Sequence, residues 1–127
     1  MRALLDTSFF MATESGRPLG GLREVDQTDI SVVTLGELTA GVLLADEGQR
    51  GDRLATLSAV ESTWDPLPVT AEVARAFGRI VADLRRRERR VRILDALVAA
   101  TAIVEQIPVV TQDRDYDAIP GVEVILV

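Results

Sequence analysis

The chain has 127 residues, 47% hydrophobic and 27% charged, which is enough for one domain around one core and too apolar for a disordered segment. It contains no Cys, His or Lys, which excludes disulfides, thiolate or imidazole catalysis, a Ser-His-Asp triad within the chain, a P-loop lysine and Schiff-base chemistry. The net charge of −6 argues against a nucleic-acid partner until its distribution is read: residues 75–92 hold eight Arg and two acids, a local balance of +6 on a body of −12.

Ala3-Leu4-Leu5 is a short apolar run ending at Asp6 and reads as a buried strand. A short helix through Phe9-Phe10-Met11-Ala12 follows, capped by Asp6, Thr7 or Ser8. Gly16 to Gly21, with Pro18 and three Gly, is a loop or a broken helix. Asp29 to Val33 predicts a second strand. Leu35, Leu38, Val42 and Ala45 predict a helix that starts at Ser31 or Thr34 and ends near Glu47-Gly48. A third helix is expected from Asp52 to about Glu61, with Leu54, Leu57 and Val60 inward.

Pro66-Leu67-Pro68-Val69 is extended, and its two Pro confine it to an edge or a loop. Thr70 caps the next helix, whose apolar stripe is Val73, Phe77, Ile80, Val81 and Leu84, with Arg75, Arg79, Arg85 and Arg86 beside or away from it. Leu94 to Glu105 is nearly all apolar, so it predicts a helix buried on every side. Ile107 to Thr111 is a strand, Gln112 to Asp117 a polar loop with a helical turn at most, and Val122 to Val127 a last strand after Gly121. This alternation predicts an α/β fold over residues 1–127 as a single domain, with a mostly parallel sheet flanked by helices on both faces. No apolar run approaches the roughly 20 residues of a membrane span, and Asp6 comes too early for a signal peptide. A soluble cytoplasmic protein with no membrane partner is expected.

Four acids far apart in sequence fall where apolar runs give way to helices or turns: Asp6, Glu37, Asp95 and Asp113. In a parallel sheet, ligands bind outside the carboxyl ends of the strands, and these four then share that edge. Each has a plain structural role when taken singly. Asp6 can cap a helix, Thr34-Leu35-Gly36-Glu37 has the form of a capping box, Asp95 can stabilise a helix N-terminus, and Asp113, Asp115 and Asp117 can form a solvated turn. Taken together they repel one another. A magnesium or manganese ion relieves that repulsion with hard oxygen ligands alone and supports phosphoester hydrolysis without His. Thr7, Ser8 and Thr111 can complete the shell or hold a carboxylate in place.

The blocks Leu5-Asp6-Thr7-Ser8, Thr34-x-x-Glu37-Leu38-x-x-Gly41, Asp95-Ala96-Leu97-Val98-Ala99-Ala100-Thr101-Ala102 and Val110-Thr111-Gln112-Asp113-Arg114-Asp115-Tyr116 occur in that order, with Gly121-Val122 after Ile119-Pro120. Over essentially its whole length the chain resembles the PIN-domain ribonucleases, specifically the VapC-type toxins of bacterial toxin–antitoxin pairs. The resemblance implies that Asp6, Glu37, Asp95 and Asp113 bind one or two Mg2+ or Mn2+ ions that activate water against RNA. Asp115 stands where some relatives place a further acid, so the fourth ligand is Asp113 or Asp115. Tyr116 departs mildly from the Phe common in the family. The resemblance also implies a homodimer and an antitoxin that blocks the site. Arg89, Arg90 and Arg92, at the end of the basic run leading into Asp95, are candidate RNA contacts.

Three other readings compete with this one. A response-regulator receiver domain also gathers acids and magnesium at a sheet edge, but it carries an acidic pair after its first strand and a Lys, both missing here. A haloacid-dehalogenase-type phosphatase would place a second Asp at Ser8. A non-catalytic PIN binding module would have lost acids that this chain keeps.

Overall fold

The apolar runs form strands because each can be covered on two sides. The computed structural model describes residues 1–127 and contains β1 (Arg2–Leu5), α1 (Thr7–Glu14), β2 (Gln27–Asp29), α2 (Val32–Leu44), α3 (Glu47–Thr63), α4 (Ala71–Arg86), α5 (Ile93–Glu105), β3 (Val109–Thr111), a 3₁₀ turn (Arg114–Ala118) and β4 (Val124–Leu126). The strands form one sheet in the order β2-β1-β3-β4, and every neighbouring pair is parallel.

Side chains alternate across the two central strands. Leu4 and Val109 enter one core with Val73, Ile80 and Leu84 of α4 and Val98 and Ala99 of α5. Ala3, Leu5 and Val110 enter the other, with Phe10 of α1, Leu38 of α2, and Leu57 and Val60 of α3. Burial on both faces is why β1 reads as continuously apolar rather than alternating. Each Leu or Val so buried contributes about 1.5–3 kcal/mol. No helix is long and apolar enough to cross a membrane.

The structure departs from the sequence expectations at several boundaries. The second strand is Gln27–Asp29 rather than Asp29–Val33, because the Ser31 hydroxyl accepts the Val33 N–H at 3.0 Å and starts α2 at Val32. α2 ends at Leu44 rather than near Glu47-Gly48, because Asp46 caps α3 by accepting the Gln49 N–H at 3.0 Å. The third helix therefore starts at Glu47, five residues before Asp52, and takes Gly48 and Gly51 into its first turns. Leu57 and Val60 point inward as expected, but Leu54 is 51% exposed. The hairpin of late α2 and early α3 stands clear of the core and also leaves Leu43 and Leu44 in solvent. The segment around Leu67 is an extended edge, bridged in parallel to Ser31. α5 is buried along most of its length, but Ile93 and Leu94 in its first turn are exposed. The last two strands in the chain are shorter than predicted, β3 starting at Val109 and β4 spanning only Val124–Leu126.

Candidate active site

Parallel register brings the carboxyl ends of the strands to one edge. Leu5 pairs with Val110, so Asp6 is level with Thr111, and the Asp6 N–H donates to the Val110 carbonyl at 2.9 Å. Asp6 also caps α1, its Oδ2 accepting the Ser8 N–H at 3.4 Å. The same oxygen accepts the hydroxyls of Ser8 at 2.8 Å and Thr111 at 3.0 Å. Oδ1 accepts the Tyr116 hydroxyl at 2.9 Å. A carboxylate only 4% exposed is thus held through both oxygens, and hydrogen bonds to an ionised acceptor are the stronger kind. Two further bonds tie the loop after β3 to this network: the Gln112 N–H donates to Ser8 Oγ and the Asp113 N–H to Thr111 Oγ1, each at 2.9 Å.

Glu37 forms the opposite wall. It lies in the second turn of α2, because Ser31 rather than Thr34 is the cap. The capping-box role therefore does not hold: Glu37 Oε1 accepts the Thr7 hydroxyl at 2.7 Å, and Thr34 is fully buried. Asp95, in the first turn of α5, is 1% exposed. Arg92, at the N-cap of α5, meets both of its oxygens, Nε donating to Oδ2 at 3.3 Å and Nη2 to Oδ1 at 3.1 Å. The same Nη2 lies 3.5 Å from Glu37 Oε2.

The electrostatics follow from this burial. Desolvation pushes the Glu37 carboxyl above its ordinary range; the Thr7 hydroxyl opposes this, and the charge of Asp6 adds to it. Desolvation also raises Asp95, against the pull of its Arg92 hydrogen bonds. Burial and the facing Asp6 raise the Tyr116 phenol, so its hydroxyl stays protonated and donates. The guanidinium of Arg92, bonded to Asp95, is held firmly protonated.

Between these walls lies a cleft of about 440 Å3, lined by Asp6, Thr7, Ser8, Met11, Arg17, Glu37, Arg92, Gln112 and Asp113. Neither Asp95 nor Asp115 is among its walls: Asp95 lies buried beneath Arg92, and Asp115 is turned elsewhere. Its N–H donates to Asp113 Oδ1 at 2.8 Å, and its side chain faces a separate recess with Arg87, Arg89, Arg90 and Arg114. Of the three Arg proposed for RNA contact, only Arg92 reaches the cleft. As the side chains lie, no three acids close on one point, and Arg92 spans Glu37 and Asp95. Two contributors escape sequence reading. Arg17 stands in a Gly-Arg-Pro loop with no periodic signal, and nothing in the polar run around Tyr116 marks its hydroxyl as a donor to Asp6.

The family model of the PIN domain matches residues 3–122. The chain belongs to the PIN-domain family. This PIN domain is 45% identical to Ribonuclease VapC5 of Mycobacterium tuberculosis, over 98% of this chain and 94% of that protein. Among solved structures, the VapBC-5 toxin–antitoxin member from Mycobacterium tuberculosis matches with a TM-score of 0.84 at 40% identity, covering 99% of this chain and 98% of that one. A DNA-bound VapBC from Salmonella typhimurium matches with a TM-score of 0.82 at 27% identity, covering 98% of this PIN domain and 96% of that chain.

Proposed function

We propose that this PIN domain is a metal-dependent endoribonuclease, the toxin of a toxin–antitoxin pair, acting in the cytoplasm. One observation carries the reading: Asp6, Glu37 and Asp95 are brought from three separate elements to one sheet edge, where Glu37 and Asp95 share a single guanidinium and the charge of Asp6 acts on both of them. Hard oxygen donors with an excess of negative charge, and no His or Cys in the chain, fit Mg2+ or Mn2+ in donor type and charge. Asp6, Asp95 and Asp113 would hold the ion. Asp113 lines the cleft and Asp115 does not, which favours Asp113 as the fourth acid. The chemistry supplied by such an ion, when bound, is acidification of water and neutralisation of phosphoryl charge.

The chain's own residues supply the rest. Ser8, Thr111 and Tyr116 fix the Asp6 carboxylate from behind. Glu37 has a raised pKa and an oxygen toward the cleft, which suits it to take a proton from an attacking water. Arg17 and Arg92 bring positive charge to a cleft that must receive a phosphodiester. The relatives named ribonucleases support RNA as the substrate, and the VapBC complexes support an antitoxin partner. Homodimerisation belongs to the same reading. The complete set of acids favours an enzyme over a non-catalytic module, and family membership displaces the receiver reading.

Asp6→Asn and Asp95→Asn test the assignment. Each is expected to lower magnesium-dependent RNA cleavage by more than about 100-fold, with the circular dichroism spectrum unchanged. Undiminished cleavage by both variants, with a chelator control in place, would overturn the site. Growth arrest on expression of the unmodified chain, relieved by either substitution, tests the toxin role.

A further inference from the structure

Arg75, Arg79, Arg85, Arg86, Arg89 and Arg90 are all exposed, and none has an acidic partner, although the chain carries 20 acids. The ion pairs in this region belong to their neighbours, Arg87 with Asp83 and Arg92 with Glu37 and Asp95. Six like charges on one helix and its following loop repel one another, so an extended anion along them is favoured.

Their placement is linear. Arg75, Arg79 and Arg86 line a groove of about 820 Å3, the largest in the molecule, together with Ile103 and Pro120 and with Asp83, whose charge is met by Arg87. Spacings of four and seven residues keep these three on one face of α4, over about 16 Å of helix. At the end of α4 a second hollow of about 590 Å3 takes over, lined by Arg85, Arg89 and Arg90 and reaching Ala96 on α5. Ala96 is the chain neighbour of Asp95, and Arg92 enters the acid cleft. The unpaired cations therefore lead from the far end of α4 toward the carboxylates.

We propose that this arginine line is an RNA-binding track that holds the substrate backbone away from the bond being cut, so that the protein acts on long RNA lying along α4. The proposal rests on the ribonuclease reading of the cleft. Arg forks bind phosphate oxygens in pairs, and a groove that mixes arginines with apolar side chains suits a chain of phosphates carrying sugars and bases. An acidic protein segment would also meet the arginines favourably. Nothing requires such a segment to continue from the arginines into the acid cleft, whereas RNA that is cut in that cleft has to pass there.

The test is the variant Arg75→Gln/Arg79→Gln/Arg86→Gln, which leaves every cleft residue in place. RNA affinity is measured in chelator, so that nothing is cut, across a salt series. Cleavage is measured in Mg2+ on a long folded RNA and on an oligonucleotide of about four nucleotides. The expected result is an affinity for long RNA reduced at least tenfold. The log–log salt slope flattens by about 2, since each single-strand phosphate contact contributes about 0.7. KM for long RNA rises while kcat holds, and cleavage of the short oligonucleotide is unchanged. Unchanged long-RNA affinity and slope would overturn the track, as would equal losses on both substrates. A shift in oligomeric state by light scattering, with RNA affinity intact, would assign the groove to protein contact and also defeat the proposal. Failure of the ribonuclease reading looks different: the unmodified chain cuts neither RNA, and the chelator arm still decides whether α4 binds RNA.

Discussion

Tyr116 Oη is buried, and Asp6 Oδ1 is the partner it donates to, 110 positions away. Tyr116→Phe keeps the ring and removes that donor. Hydrogen bonds to charged groups are worth about 1.5–3 kcal/mol, so a urea denaturation series in chelator is expected to show a loss of that order. A stability equal to that of the unmodified chain would mean that Asp6 finds another donor. Glu37 and Asp95 come from the early turns of α2 and α5, whereas the places of Asp6 and Asp113 on the sheet edge were legible in sequence because each follows an apolar run that ends as a strand. The Tyr116 bond was not, since an aromatic residue in a polar loop does not declare its depth. Nor was the double pairing of Arg92, which read as one more charge in a basic run until α5 turned it toward Glu37 and Asp95.

Capping decides where the helices of this chain begin. Ser31 and Asp46 each outweighed a competing signal, the β-branched pair Val32-Val33 in one case and Gly48 in the other. Side-chain bonds of this kind were visible as residue types but not as winners, because the outcome depends on where the sheet releases the chain. The α/β class was legible in the alternation of elements, the helix capped by Thr70 in a stripe that repeats over several turns, and the helix after Arg92 in an apolar run too long for a strand. Gly51 remains inside α3 with open space around the position of a Cβ. Gly51→Ala is therefore expected to stabilise the chain by about 0.5–1 kcal/mol, read as a higher urea midpoint with an unchanged slope. A lower midpoint would mean that α3 needs the glycine for packing or for a partner.

At the scale of the whole molecule, the raised carboxyls of Glu37 and Asp95 make folding proton-linked. Their ordinary values are 4.5 and 3.8, and the folded chain holds their protons more firmly. The stability they contribute is complete below those ordinary values and is lost as pH rises through the higher folded ones. In chelator, the unmodified chain should therefore lose stability relative to Glu37→Gln as pH climbs from about 4.5 through the raised value of Glu37. Parallel stability curves for the two proteins would count against a raised Glu37. The sheet order β2-β1-β3-β4 carries a consequence in time. Its central pair joins the beginning of the chain to a strand more than 100 residues later, and Thr111 and Tyr116 hold Asp6 across the same span. At roughly 5–20 residues per second, a ribosome takes on the order of 5–20 s to carry synthesis from Asp6 to its partners. Throughout that interval the nascent chain has an acid but no cleft, so the proposed cleavage activity is withheld until β3 and the 3₁₀ turn have been made.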